Sequence, residues 1–468
     1  MEEVLTPDLC IIGAGDGGLS VAASAAAMGV SVVLVEKGPM DGAFLNHGAL
    51  AAKVLMAGAR VAHDMRGAST FGVSARDIAI DFAGVMQHVR ATLSAIAPNG
   101  SEERCRALGI TLLRANGRFV ARDRLEAGGR MIRARRFIIA TGSSPALPNI
   151  AGLEQIRTLT TETIFQLTAL PAHLVVLGAQ PAGLELAQAF CRLGAQVTLI
   201  EAAQALGHED AECADLITSS LRRDGVDLRE NTRVLRAEAH GEGFRLHLED
   251  GGMIAGTHLL AASGRRANIG GLGLEAAGVR ASAHGIEVGA DLRTSNRAIY
   301  AIGDVAGGAH AAQYHASLVL RATLFRLRAR VVPHLVPRAL FTAPEMAVAG
   351  LREDAARKAH GGIRVLRWPF ADNDRARAEG ETAGHIKVIL ARNGKILGAA
   401  IVGPQAAELI GLWQLAMARD LKIGAVAGLV LPWPTLSEIS GRAAQEAFTP
   451  VLAHPWLRAA LGLLRKFG

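Results

Sequence analysis

Cysteine, aromatic residues and blocks of like charge are all thin in this chain of 468 residues, and each scarcity excludes something. The four cysteines, Cys10, Cys105, Cys191 and Cys213, include no Cys-x-x-Cys and no spacing that suits a metal. Neither a zinc site nor a disulfide framework is therefore expected, and thiols of this kind fit a reducing compartment. Aromatics make up 4% of the residues, and no Lys/Arg block is interleaved with them. With a formal net charge of only +7, nucleic acid is not an expected partner. The opening MEEVLTPD is acidic and has no apolar stretch behind a basic one, so no signal peptide and a cytoplasmic location are expected. Gly17 to Val35 carries no charge and has the length of a membrane span. Gly29 divides it, however, into an Ala-rich helix and a Val-rich strand.

What is abundant points to an α/β protein. Half of the residues are hydrophobic, 20% are charged, and glycine occurs 53 times. The length suggests about three domains. An apolar run, DLCII, ends at Gly13 and is followed by GAGDGG, a helix, and VSVVLVE ending at Glu36. The same order returns from Leu174: LVVLGAQPAG, a helix, then AQVTLIE ending at Glu201, each position 165 residues after its counterpart. Two βαβ units in one register imply two dinucleotide sites. Gly13 permits the tight turn out of the strand, Gly15 lets a pyrophosphate approach the backbone, and Gly18 lets the helix pack closely. The helix N-terminus offers amide N–H groups and the positive end of its dipole to the phosphates, and Glu36 is placed to accept from a ribose diol.

The second unit departs from this pattern. Gly178 and Gly183 hold the first and third positions, but Gln180 stands at the second, where it would weaken or reshape nucleotide binding. Glu201, followed by Ala202 and Ala203 with no nearby Arg, favours NADH over NADPH. RRFIIATGSSPALP (135–148) reads as a strand entering a turn, and TSNRAIYAIGDVAGG (294–308) as an apolar strand ending at Asp304. Beyond about residue 333 the character changes. HIKVILARNGKILGAAIVG (385–403) alternates about an Asn-Gly turn and predicts a β-hairpin.

In that order, GAGDGG…VE, ATGSS, the second glycine loop with Glu185, SGRRAN and IYAIGD resemble the pyridine nucleotide-disulfide oxidoreductases almost end to end. LFTAPEMAVAG, WPFADNDRARAEG and PTLSEISGRAA are similar to the mercuric-reductase-like branch. The resemblance implies two Rossmann-like dinucleotide-binding domains, for FAD and NAD, and a C-terminal α+β dimerisation domain. The expected boundaries are 1–150 for FAD, 151–268 for NAD(P), 269–332 for the return to the FAD domain, and 333–468 for a homodimer-forming domain. By position it implies FAD contacts from Glu36, Gly117, Thr141, Gly142 and Asp304, and cofactor contacts from Lys37 and Gly264. It also implies a Lys53–Glu185 pair beside the reactive flavin nitrogen and the nicotinamide.

Two departures change the implied chemistry. The family's redox motif, C-L-N-x-G-C-x-P-S-K, reads FLNHGALAAK here, so Phe44 and Ala49 stand at both cysteine positions. The family's C-terminal His-Pro-x-x-x-x-Glu reads WPTLSE, with Trp433 for the histidine and Glu438 retained. Without a thiolate there is no disulfide exchange, and an indole is no acid or base near neutral pH. His47 is the one new ionisable group inside the altered motif and a candidate proton donor. The expectation is an FAD enzyme reduced by NADH that passes electrons directly to a quinone, oxygen or a one-electron carrier. The alternative is a non-catalytic, FAD-stabilised homodimer that binds a partner. Finally, PWLRAALGLLRKF gathers Trp456, Leu457, Ala460, Leu461, Leu464 and Phe467 on one helical face, with Arg458, Arg465 and Lys466 elsewhere. Such a helix suits peripheral contact with an anionic membrane, or packing within the dimer.

Overall fold

The structure, a computed structural model, describes residues 4–40, 48–74, 77–308, 311–449 and 455–466. It divides into two compact units, one of residues 1–203 and 225–332, the other of residues 204–224 and 333–468.

Two parallel five-stranded sheets organise the first unit. In one, the order is Ile299–Ala301, Arg136–Ile139, Leu9–Ile12, Val32–Val35, Thr111–Leu113. Side chains alternate across a strand, and here both faces are covered, so the strands read as unbroken apolar runs. Leu9, Ile11, Leu34 and Ile138 enter one core, while Cys10, Ile12, Val33, Val35 and Ile139 enter the other. The second sheet repeats the plan in the order Thr158–Thr160, His258–Ala261, His173–Leu177, Gln196–Ile200, Asp227–Arg229. An antiparallel three-stranded sheet, residues 234–256, packs its Phe244 and Leu246 against Val175 and Leu259.

The uncharged stretch from Gly17 resolves into the helix Asp16–Ala27 and the strand Val32–Val35. Among the described residues no helix is long and apolar enough to cross a membrane. Asp304 does not lie on a strand: the strand stops at Ala301, and Asp304 sits in the 3-10 turn Gly303–Ala306 that follows. The apolar run stops at Ile302, whose N–H makes the last bond to the neighbouring strand at Ile139.

In the second unit an antiparallel sheet runs Arg338–Leu340, Glu345–Gly350, Ile396–Gly403, His385–Ala391, Ile363–Pro369. The Asn-Gly hairpin is present, with one register shift between Ile389 and Leu390. Ile386, Val388 and Ile401 pack against the helices Ala406–Ala418 and Glu438–Glu446 around fully buried Trp413, whose Nε1 donates to Ser440 Oγ at 3.1 Å. Lys387, on the same strand, is 3% exposed and reaches Asp210, Glu212 and Glu353 at 2.8–2.9 Å. Burial alone would push its ammonium pKa down. The hydrogen bonds to Asp210, Glu353 and Glu212 outweigh that and hold it above its ordinary value. The terminal helix Pro455–Leu464 exposes Trp456, Leu461, Leu463 and Leu464; Phe467 lies outside the described residues.

Candidate functional site

The glycine loops come first, because the same geometry is built twice. At Gly13 (φ +106°) and Gly178 (φ +103°) a Cβ would strike the backbone of the neighbouring strand's exit, at Ala140 and at Ser263. At Gly18 and Gly183 a Cβ would enter the carbonyl oxygen of Gly13 and Gly178 respectively. These four glycines are required by the protein's own packing. Gly15 is different: its φ of −79° suits any residue, and a Cβ there would meet nothing within 4 Å. The space in front of Gly15 is left open by the chain, which is what a pyrophosphate lying on the N-terminus of helix Asp16–Ala27 requires. Gln180 has nearly the same backbone (φ −69°, ψ 163°), is exposed, and makes no side-chain cap to helix Pro181–Arg192.

The two strand-end glutamates are held in matching ways. Glu36 Oε2 accepts from Ala14 N and Oε1 from Gly38 N, both at 2.6 Å. Glu201 Oε2 accepts from Ala179 N at 2.8 Å and Oε1 from Ala203 N at 3.1 Å. Each carboxylate oxygen keeps a lone pair for a ribose hydroxyl. Lys37 beside Glu36 is exposed.

Three segments distant in sequence converge next to the first loop. Ser143 Oγ donates to Asp304 Oδ2 at 2.6 Å, and Arg265 Nε and Nη2 donate to Ser143 Oγ and its carbonyl, both at 2.7 Å. Thr141 Oγ1 donates to the Asn268 carbonyl, Asn268 Nδ2 to the Thr141 carbonyl, and Asn268 N to the Gly142 carbonyl. Gly264, within this crossing, has no atom within 4 Å of where a Cβ would stand. Gly117 lies against Val35, Ile12 and Leu125. Ser143, Arg265 and Asn268 were not singled out from sequence as site residues; the motifs ATGSS and SGRRAN contain them, but their mutual bonding does not show in one dimension.

Lys53, on helix Ala49–Gly67, and Glu185, on helix Pro181–Arg192, are 132 positions apart and meet at 2.6 Å. Glu185 is 5% exposed and Lys53 26%. A carboxylate so buried is costly without a cation, and the pair supplies one. Cys191 is in that second helix, and Cys10, Cys105 and Cys213 are buried. Burial pushes the thiol of Cys213 up to about 12 and that of Cys10 higher still, so neither is a thiolate at neutral pH.

Of the remaining sequence candidates, Phe44 and His47 lie outside the described residues, and Ala49 opens the helix that carries Lys53. Trp433 and Glu438 belong to the other compact unit. Trp433 is 70% exposed and its Nε1 donates to Asp374 Oδ2 at 3.2 Å, while Glu438 accepts from Arg442. Among the described residues no cluster of His, Cys, Asp or Glu forms a metal site.

A nucleotide loop built twice, a Lys–Glu pair that joins helices Ala49–Gly67 and Pro181–Arg192, and a C-terminal α+β sheet define a class, and known proteins share it. Residues 7–339 match the pyridine nucleotide-disulphide oxidoreductase profile and residues 336–444 the dimerisation domain of the same family. The chain is 34% identical over 452 residues to a dihydrolipoyl dehydrogenase of Thermus scotoductus, covering 92% of this chain and 95% of that protein. It is 32% identical over 452 residues to a mercuric reductase of Streptomyces lividans, covering 94% and 95%. Among solved structures, the HOCl-induced flavoprotein disulfide reductase RclA of Escherichia coli superposes with a TM-score of 0.83 at 26% identity, covering 93% of this chain and 98% of that one. LpdA of Mycobacterium tuberculosis shares the fold with a TM-score of 0.87 at 24% identity, covering 95% and 99%.

The chain belongs to the pyridine nucleotide-disulphide oxidoreductase family. Its cofactors are those of the family, FAD and a nicotinamide nucleotide, and its C-terminal domain is the one through which the family forms homodimers.

Proposed function

We propose that this protein is an FAD-dependent oxidoreductase that takes electrons from NADH and releases them from the flavin directly to a quinone, oxygen or a one-electron carrier, without a dithiol relay. The observation that carries the reading is the Lys53–Glu185 pair at 2.6 Å, kept while Phe44 and Ala49 stand at the motif's cysteine positions. Flavin, when bound, supplies acceptance of a hydride and its release as single electrons or a pair.

This chain's own residues do the rest. Gly13, Gly15, Gly18 and the helix N-terminus at Asp16 would hold the pyrophosphate, and Glu36 the adenosine ribose. Ser143 and Arg265 hold Asp304, which would accept from the flavin's polyol, and the Thr141–Asn268 bonds fix the adjoining turn. Lys53 presents a cation whose position Glu185 fixes, which favours negative charge developing on the flavin beside it. Gly178, Gln180, Gly183 and Glu201 would receive the nicotinamide nucleotide, with Glu201 selecting NADH by accepting from its ribose. Trp433 moves no proton, and its exposed ring can stack on a planar acceptor. His47 and Glu438 are the titratable groups available to supply the acceptor's protons.

Anaerobic rapid mixing with NADH tests this. The flavin is expected to reduce without a thiolate-to-flavin charge-transfer band, a soluble quinone to reoxidise it, and lipoamide to be left unreduced. Sustained oxidation of dihydrolipoamide would end the proposal. Gln180 favours a second reading, a flavin-stabilised homodimer that binds a partner without catalysis; failure to find either NADH reduction of the flavin or any acceptor would make it the better one. Peripheral contact with an anionic membrane through helix Pro455–Leu464, which would bring the enzyme to quinone, is supported by its exposed Trp456, Leu461 and Leu464 and the basic Arg465 and Lys466.

A further inference from the structure

A second surface, in the first compact unit and far from the chain's C-terminus in sequence, has the same chemistry in a more firmly held form. Between Asp304 and Glu345 the chain contains no acidic residue but five arginines. Four of them, Arg321, Arg326, Arg328 and Arg330, are exposed, and among the described residues they form no ion pair. Phe325 and Leu327 alternate with them and are 57% and 51% exposed.

This ridge begins in the last turn of helix Ala312–Leu324 and is tied down at several points. Leu327 N donates to the Arg321 carbonyl, Val331 N to the Ala290 carbonyl, and Val332 N to Tyr314 Oη. Arg135 Nη1 donates to the Thr323 carbonyl, and of residues 325–330 only Ala329 is buried. These bonds anchor the segment on both sides of its two exposed apolar side chains.

Unpartnered guanidinium groups call for anions, and the two apolar side chains decide which kind. A polynucleotide would supply phosphates but gains nothing from Leu327, which has no face for a base to stack on. An anionic bilayer supplies phosphates in a plane and, directly beneath them, an interfacial layer that accepts Phe and Leu. We propose that the ridge 321–330 rests on an anionic phospholipid surface, Phe325 and Leu327 entering the interfacial layer while Arg321, Arg326, Arg328 and Arg330 pair with lipid phosphates. This contact does not depend on the electron-transfer reading.

Co-sedimentation of the purified, flavin-loaded protein with vesicles provides the test. The protein is expected to sediment with phosphatidylcholine–phosphatidylglycerol vesicles, not with phosphatidylcholine alone, and to be released by salt. Arg326→Glu with Arg328→Glu should weaken the partition about fivefold or more for each arginine reversed. Phe325→Ser with Leu327→Ser should also reduce it, while flavin content and thermal midpoint stay unchanged in both variants. Equal sedimentation with the two kinds of vesicle, or variants that bind as the parent does, would overturn the proposal. So would a deletion after residue 454 that abolishes binding while the ridge variants bind normally, since the contact would then lie in the terminal helix. A labelled single-stranded oligonucleotide bound more tightly than the anionic vesicles, and indifferent to Phe325→Ser with Leu327→Ser, would likewise replace the lipid with a polynucleotide.

Discussion

The two nucleotide loops of this chain agree wherever the protein touches itself and differ where it does not. Gly13 and Gly178, Gly18 and Gly183, Glu36 and Glu201 make equivalent contacts, down to which backbone N–H each carboxylate accepts. The second position of the motif is Gly15 in one loop and Gln180 in the other, on almost the same backbone. Packing therefore constrains the first and third glycines and leaves the second unconstrained. The loops differ where the chain does not touch itself, not in how they fold.

The most severe way to sharpen this is to break what the loops share. Gly18→Val and Gly183→Val both push a side chain into a carbonyl oxygen across the turn, and each is expected to cost upwards of about 3 kcal/mol. Soluble yield and thermal unfolding should show equal damage in the two variants. Loss in one alone would mean that the loops are not equivalent.

A contrast of similar size lies beyond the strand ends. After Glu36 the chain passes through exposed Lys37, whereas the residues after Ala203 join the other compact unit, where Asp210 and Glu212 hold Lys387. Lys387→Met would leave a cluster of carboxylates without its buried cation, at an expected cost of about 3 kcal/mol. The same cluster sets an acid limit. Hydrogen bonding to Arg367, and then to Lys387, pushes the Glu212 carboxyl down to about 2. Its folded pKa is thus depressed, so its contribution is whole above the ordinary carboxylate range and is lost as pH falls through that range toward 2. Calorimetry on acidification should show a falling midpoint in the parent and a flatter profile in Lys387→Met. Parallel profiles would remove Glu212 from the account.

Exchanging the second positions gives smaller effects. Gly15→Gln should fold normally, since a Cβ there meets nothing, yet bind flavin about tenfold or more weaker, the scale of one lost charge-assisted hydrogen bond. If flavin is retained in full, the second position does not face the phosphates in either loop. Gln180→Gly is the mildest: the apparent dissociation constant for NADH should fall about threefold to tenfold. A rise would show that the Gln180 amide contributes to binding.

Much of this was legible in the sequence because the glycine positions, the acidic strand ends and the 165-residue offset are local patterns. The Asn-Gly hairpin and the division of the uncharged stretch at Gly29 are local as well. The Lys53–Glu185 pair could be named from its resemblance, but its geometry depends on two helices meeting across 132 positions. Ser143, Arg265 and Asn268 escaped notice because each is an ordinary polar residue until three segments cross. The ridge at 325–330 escaped for another reason. An alternation as short as Phe-Arg-Leu-Arg-Ala-Arg does not make a basic block, and exposure is not written in sequence.

The crossing at Asp304 also bears on how the protein comes into being. Asp304, Ser143 and Arg265 lie on both sides of the second βαβ unit in the chain, and the strand Ile299–Ala301 completes the first sheet only after that unit has been made. On the ribosome, the edge of Arg136–Ile139 waits unpaired through the synthesis of some hundred and sixty residues, while the inserted unit has all of its own strands and can close first. The first sheet and the crossing at Asp304 therefore depend on a strand made after the whole of the second unit.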